Sequence, residues 1–323
     1  MVNSESQNPI TNNDENILRG RYQIGSRKGR GYFGVTYEAI DLELPQNHKC
    51  IVKHLKPNSF DRKVIEHATR LFQEESEHLY QLGKHNQIPR LYARFQEDDN
   101  QFYLVQEFID GKNLEQEIGS DKLWDEETTI KNLKEILEVL DFVHKNNIIH
   151  RDIKPDNIIR RKDDGKLVLI DFGAVKKIAN TTIDIQGKPI LTICIGPSYM
   201  PKEQKEGLPV LASDIYAVGI VAIMGLTGCV DTVRLHEQIK ISDNLLTVID
   251  KMIASEAKDR YQDAGEALKA IIETFSNYPT HMINTQYEEK SEEGNAEVSV
   301  NNEELSESQK SFSERFIHWW NHG

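Results

Sequence analysis

Two charged signatures lying close together in the chain constrain it most: His150-Arg151-Asp152-Ile153-Lys154-Pro155-Asp156-Asn157, then Leu169-Ile170-Asp171-Phe172-Gly173. Their spacing permits a hairpin that brings the polar groups of both to one cleft. Asp152 is a carboxylate able to orient and deprotonate a hydroxyl, Asn157 and Asp171 offer hard oxygen ligands for magnesium, and Lys154 supplies a cation. That set of groups is what phosphoryl transfer demands.

The rest of the chain is organised around this cleft. Residues 1–20 are polar and carry neither periodicity, which reads as a flexible leader. From Tyr22 the texture is that of short alternating strands: Tyr22 to Gly25, Val35 to Ala39 and Cys50 to Leu55. Leu71, Glu75, Leu79 and Leu82 then recur at helical spacing, before a β-rich run from Gln101 to Ile109 that ends at Asp110-Gly111. Beyond Gly111 the pattern is mostly helical: Ile130 to Val143, Ala212 to Thr227, and Leu245 to about Phe275. Residues 277–310 are acidic and poor in large apolar groups, an expected linker of low order. Residues 311–323 read as a short aromatic helix, with Phe312, Phe316, Trp319 and Trp320 near one face and able to dock a partner or the chain's own fold.

Composition narrows the function classes. With Lys+Arg 39 against Asp+Glu 52, the formal net charge is -13, so the long-range field repels polyanions and disfavours nucleic-acid binding. The three cysteines lie far apart with no metal-ligand pairing, and the amino terminus has no basic stretch followed by an apolar core. The run from Ala217 to Leu226 is too short for a bilayer. A cytoplasmic chain without a transmembrane segment is the expectation.

Gly29-Arg30-Gly31-Tyr32-Phe33-Gly34 falls between two strand candidates rather than between a strand and a helix. This argues against a dinucleotide fold and suits a hairpin lying over nucleotide phosphates. With this loop, Lys53 and both signatures in order, the chain from about Tyr22 to Phe275 resembles the eukaryotic-like (Hanks-type) protein kinases, most closely bacterial serine/threonine kinases of the cyanobacterial sort. The resemblance implies an α+β, bilobal protein kinase-like fold over residues 21–276. A small β-rich N-lobe (21–109) would precede a larger α-helical C-lobe (110–276), with ATP and Mg2+ as cofactors and a protein substrate.

By the same resemblance Lys53 holds the α- and β-phosphates under Gly29, Gly31 and Gly34, paired with Glu75 on the following helix, Glu74 being the neighbouring rival. Gln106 takes the gatekeeper position, and backbone groups of Glu107 and Ile109 meet the adenine edge. Asp152 is the base or orienter, Lys154 the cation on the transferring group, and Asn157 and Asp171 the metal ligands. Asp171 to Glu203 resembles an activation segment with Thr181, Thr182 and Thr192 as candidate phosphate acceptors facing Arg151. Glu203 is expected to pair with Arg260, and Asp214 to brace the catalytic loop backbone.

The chain departs from the family pattern at several points. Lys28 stands where an apolar residue usually covers the adenine, and its stem is expected to cover the ring with the charge turned outward. Gly196 replaces a threonine that braces the catalytic Asp and Lys, Met200-Pro201-Lys202-Glu203 replaces Ala-Pro-Glu, and Gly228 to Asn244 is short. Alongside an active kinase, these leave open a nucleotide-binding scaffold with little transfer.

Overall fold

Alternating side chains from Tyr22 to Leu55 make strands with two distinct faces, and the fold follows from what each face meets. In the computed structural model, which describes residues 16–30, 34–55, 62–97, 101–119, 122–172 and 199–276, six strands form the first sheet. They are β1 (Ile17–Leu18), β2 (Tyr22–Arg30), β3 (Gly34–Asp41), β4 (His48–Leu55), β5 (Leu91–Glu97) and β6 (Gln101–Glu107), in the order β1-β2-β3-β4-β6-β5. Register pairs Ala39 with Cys50 and Val52 with Val105. These residues bury one face together with Tyr22, Phe95 and Tyr103. The opposite face carries Thr36 beside Lys53 and Glu38 beside Ile51, and across β4 Ile51 meets Gln106 and Lys53 meets Leu104. Because directly opposed residues share a face, Lys53 identifies this as the cleft side.

One boundary differs from the sequence reading. Ile17 and Leu18, grouped above with the flexible leader, pair with Gln23 and Tyr22. Leu18 packs on the Tyr22 cluster and the Arg19 guanidinium lies 4.4 Å from the Phe95 ring centroid, after which Arg19 and Gly20 turn the chain at positive φ. Burial of one leucine and a cation over an aromatic face hold a strand too short to show periodicity.

Helix α1 (Arg62–Leu82) links the lobes. Phe72 packs on Phe102 and Leu104 of the first sheet, whereas Leu79 and Leu82 belong to the core of the second lobe. After β6 the chain enters a three-stranded sheet, β7 (Gly111–Asn113), β8 (Ile158–Arg161) and β9 (Leu167–Leu169). The short α2 (Leu114–Glu117) and the long α3 (Glu126–Lys145) follow β7. Asp125 starts α3 by accepting from the Thr128 amide at 2.8 Å, with Glu126 and Glu127 in the first turn and His144 and Lys145 in the last.

The remaining helices are α4 (Lys202–Lys205), α5 (Leu211–Thr227), α6 (Thr232–Gln238), α7 (Asp243–Met252) and α8 (Ala264–Thr274). Helix α5 is apolar nearly all round and almost wholly buried, which makes it the axle of the C-lobe. It ends at Gly228, whose φ of 74° is the left-handed cap that glycine adopts without strain. Among the described residues no helix is long and apolar enough to cross a membrane.

Periodicity alone predicts one helical pattern from Leu245 to about Phe275. The structure breaks it into α7, a 3-10 turn at Ala257–Asp259 and α8. Arg260 is the cause. Its guanidinium turns inward to the carbonyls of Ala254, Ala212 and Ser255 and to Glu203, with Nη1 2.7 Å from Oε1 and Nη2 3.3 Å from Oε2. Burial pushes the Glu203 carboxyl up, but hydrogen bonds from Arg260 and Ser213 outweigh it and hold the group below the usual carboxylate range. Replacing Arg260 with Ala leaves this carboxylate half-buried and unforked, and should cost about 3–5 kcal/mol, read as a lowered urea midpoint; Arg260→Lys should recover only part, since an ammonium cannot fork.

Candidate active site

The site is assembled around one buried carboxylate near a helix start. Asp214, 1% exposed in the first turn of α5, accepts the His150 amide on Oδ2 at 2.7 Å and the Arg151 amide on Oδ1 at 2.8 Å. His144 adds a third bond at 3.2 Å through Nε2, while its Nδ1 accepts the Ala264 amide. Since Nδ1 accepts, the imidazole proton sits on Nε2 and points at the carboxylate. These bonds hold Arg151 at a φ of 68°, a left-handed conformation that a non-glycine residue adopts only under constraint. His150, fully buried with its ring centroid 4.6 Å from that of Phe172, is a structural link between the two signatures.

Past this turn the groups expected at the site converge. Pro155–Asn157 forms a 3-10 turn that swings Asn157 back, so that its Nδ2 donates to the Asp152 carbonyl at 2.9 Å and to Asp152 Oδ2 at 2.5 Å. Lys154 Nζ lies 3.6 Å from the same Oδ2. Both bonds of Asn157 use its nitrogen, which leaves the side-chain oxygen without a donor among the described residues. An amide oxygen in that condition is a suitable hard ligand for magnesium.

The second signature meets the first sheet here. Lys53 Nζ is 3.0 Å from Asp171 Oδ1, a contact that spans the two lobes. Asp171 also has a left-handed φ, 65°, while Phe172 turns into the core at 6% exposure. Behind them the space bounded by Lys53, Leu79, Pro89, Gln106, Asp171 and Phe172 is too tight for a water molecule. A Cβ at Gly34 would collide with the His54 carbonyl, whereas one at Gly29 would meet nothing. The close approach of β3 to β4 therefore requires glycine at Gly34, whereas packing does not require it at Gly29.

Residues 22–281 match the protein kinase domain family. The chain belongs to that family. It is 40% identical over 278 residues to serine/threonine-protein kinase PknA of Nostoc sp., covering 82% of this chain and 49% of that protein. It is also 40% identical over 268 residues to serine/threonine-protein kinase B of Synechocystis sp., covering 79% and 46%. The chain thus spans about half the length of the curated relatives it matches. Among solved structures, the PpkA-294 apo form aligns with a TM-score of 0.63 and 24% identity over 79% of this chain and 98% of that one. The Mycobacterium tuberculosis PknI kinase domain gives 0.59 and 22% over 80% and 97%. At that identity these two report the fold, bilobal with a β-rich and a helical lobe.

The kinase domain also contains a pair that sequence reasoning missed. Glu115 on α2 hydrogen-bonds Asp156, and this contact, with burial and the repulsion between the carboxylates, raises the Glu115 carboxyl to about 7. Asn113, which caps α2, reaches Asp156 Oδ1 with its Nδ2 at 3.5 Å, and burial followed by these two carboxylates pushes Tyr199 above its ordinary value. Only the fold brings the two carboxylates together; no spacing rule joins positions so far apart. Of the residues expected at the site, Glu75 lies on α1 with its side chain, like that of Glu74, outside the described residues. Gly31, Thr181, Thr182, Thr192, Gly196 and the aromatic tail also lie outside them.

The Glu115 pair has a definite pH consequence. Between the ordinary carboxyl value of 4.5 and about 7, the folded chain holds a proton that the unfolded chain has lost, so stability falls as pH rises through that window. In Glu115→Gln the loss between pH 5 and 7 should flatten, and the variant should be more stable near pH 8 by on the order of 1 kcal/mol, discounted because the group is half exposed. Melting temperature against pH for parent and variant checks it.

Proposed function

We propose that this chain is an ATP- and magnesium-dependent protein serine/threonine kinase, with a kinase domain over about residues 21–276. The observation that carries the reading is the joint placement of Lys53 on Asp171 and of Asp152 on Asn157 and Lys154. The family match over residues 22–281 and the names of the curated relatives support it.

The chain's own residues divide the work. Asp152 sits where a substrate hydroxyl would be oriented and its proton accepted; Asn157 donates to the same carboxylate and fixes its direction. Lys154, near the same carboxylate oxygen, would follow negative charge onto the transferring phosphoryl group. Lys53 and Asp171 hold one another in this structure. With nucleotide bound, Lys53 would hold the α- and β-phosphates, and Asp171 and Asn157 would hold magnesium. The ion, when bound, supplies charge neutralisation on the phosphate oxygens. Glu107 and Ile109 offer backbone groups to the adenine, and Glu75 is the partner assigned to Lys53. Cysteine usage supports a cytoplasmic setting.

Arg151 contributes a further element. Its Nε is buried without a partner among the described residues, and its carbonyl accepts from Gln204 Nε2 at 2.7 Å. That unmet donor supports a phosphate acceptor among Thr181, Thr182 and Thr192. Phe312, Phe316, Trp319 and Trp320 are the residues we assign to docking a protein partner. Deletion of residues 309–323 should alter activity, stability or oligomeric state; a variant unchanged in all three would remove that role.

Asp152→Asn should lower γ-phosphate transfer from ATP, to the chain itself and to a generic basic protein, by about a hundredfold to ten-thousandfold while ATP affinity and melting temperature stay near the parent's. Equal transfer by parent and variant would overturn the assignment. ATP binding by a folded parent without any transfer would select the scaffold reading.

A further inference from the structure

The nucleobase end of the cleft carries a charged collar that the kinase chemistry does not require. Glu38 stands on the cleft face of β3, directly opposite Ile51. Its carboxylate takes Lys28 on Oε2 at 2.6 Å and Lys49 on Oε1 at 2.8 Å. Both ammonium groups lie over Phe108, between Glu107 and Ile109, with Nζ to ring-centroid distances of 6.0 Å for Lys28 and 5.1 Å for Lys49. Three adjacent strands and the segment between the lobes therefore meet at one carboxylate.

The backbone shows that this arrangement is built. Register between β2 and β3 passes from Arg27↔Tyr37 to Gly29↔Thr36, so Lys28 is the extra residue of a bulge. A bulge disrupts the ladder locally and re-aims one side chain. Here it frees Lys28 from strand alternation and lets the stem run from the first strand of the glycine loop toward Phe108. Glu38 keeps four-fifths of its side chain buried, and the hydrogen bonds from Lys28 and Lys49 hold its carboxyl below the usual range. Separate exposed ion pairs of this type contribute little, but one carboxylate shared by two cations over an aromatic ring is a network.

We infer that Glu38 is a positioning residue for nucleotide binding: it acts through Lys28, holding that stem across the base end of the cleft and tying the glycine-loop strand to the hinge. This rests on the proposed ATP site. Glu38 touches neither Lys53 nor Asp152, so it sets affinity and not the chemical step. Released from Glu38, the Lys28 ammonium is drawn to water, its stem leaves the base, and the bulged strand loses its tie.

The test is a double-mutant cycle on the full chain, with the binding of ADP with magnesium measured by calorimetry and KM for ATP against kcat measured in parallel. Glu38→Gln should weaken ADP binding and raise KM by about 3–10-fold with kcat changed less than about twofold. Glu38→Asp, which keeps the charge, should restore most of the affinity. In a Lys28→Leu background the same Glu38→Gln change should have almost no effect, because the side chain it acts through no longer carries a charge. An equal loss in both backgrounds would mean that Glu38 merely supports the sheet, and unchanged affinity in Glu38→Gln would remove the role altogether; either overturns the inference. A folded parent that binds neither ADP nor ATP would instead overturn the nucleotide site itself, and this reading with it.

Discussion

A single carboxylate fixes the loop that carries Asp152 to α5, a helix that is almost wholly buried. Asp214 takes the amides of His150 and Arg151 together with the imidazole of His144, and hydrogen bonds to a charged acceptor are each worth about 1.5–3 kcal/mol. Its neighbour Ser213 secures the segment on the other side, for its hydroxyl donates to Glu203 at 2.7 Å and accepts the Val210 amide at 3.1 Å. Two consecutive residues thus anchor the loop that carries Asp152 and the Glu203–Arg260 fork. Helix α5 can act as this anchor because its surroundings are apolar and closely packed. A Cβ at Gly225 would run into the ring of Trp124, so the helix cannot slide without opening the core.

From that anchor the geometry of the cleft propagates through short links. Arg151 is forced into a left-handed turn, His150 is pressed against Phe172, and Asp171 is turned out at positive φ toward Lys53. The two strained residues flank the cleft, and both are overdetermined by hydrogen bonds or packing on either side. In a chain of net charge -13, the lysines around the cleft are held by carboxylates: Lys53 by Asp171, Lys154 by Asp152, and Lys28 and Lys49 together by Glu38. Pairing gives each a fixed direction, which a solvated lysine lacks.

Strands, lobes and the convergence of Asp152, Lys154, Asn157 and Asp171 on one cleft were legible because each rests on a local pattern: alternation, helical spacing, or a signature held in one turn; Lys53 was assigned through the resemblance. The Glu203–Arg260 and Asp214 contacts were legible only through the resemblance. What escaped was non-local or too short to have a period. Ile17 and Leu18 form a strand through a contact with Phe95's neighbourhood, Arg260 breaks a helical pattern by reaching for Glu203, and Glu115 meets Asp156 only after β7 and β8 pair. Lys28 shows the same limit in another form. Its position in the glycine loop suggested a stem over the base with the charge in solvent, but only the bulge and Glu38 reveal that the charge is held.

The two lobes contribute unequally, and this shapes how the site works. The first sheet buries a small core around Tyr22, Val52, Phe95 and Val105, whereas the second lobe has a continuous core running from Leu79 and Leu82 through α3, α5, α7 and α8. Apolar burial scales with that difference, so the C-lobe holds Asp152 and Asp171 with the larger apolar core behind them. The N-lobe presents Lys53 and the glycine loop from a thinner core and borrows stiffness from specific contacts: Phe72 of α1 on Phe102 and Leu104, the Lys53–Asp171 pair, and the collar on Phe108. Two of these three are electrostatic, and they involve Lys53 and Glu38 on the cleft face of the first sheet. The Lys53–Asp171 pair is thus at once a tie between the lobes and a part of the candidate site.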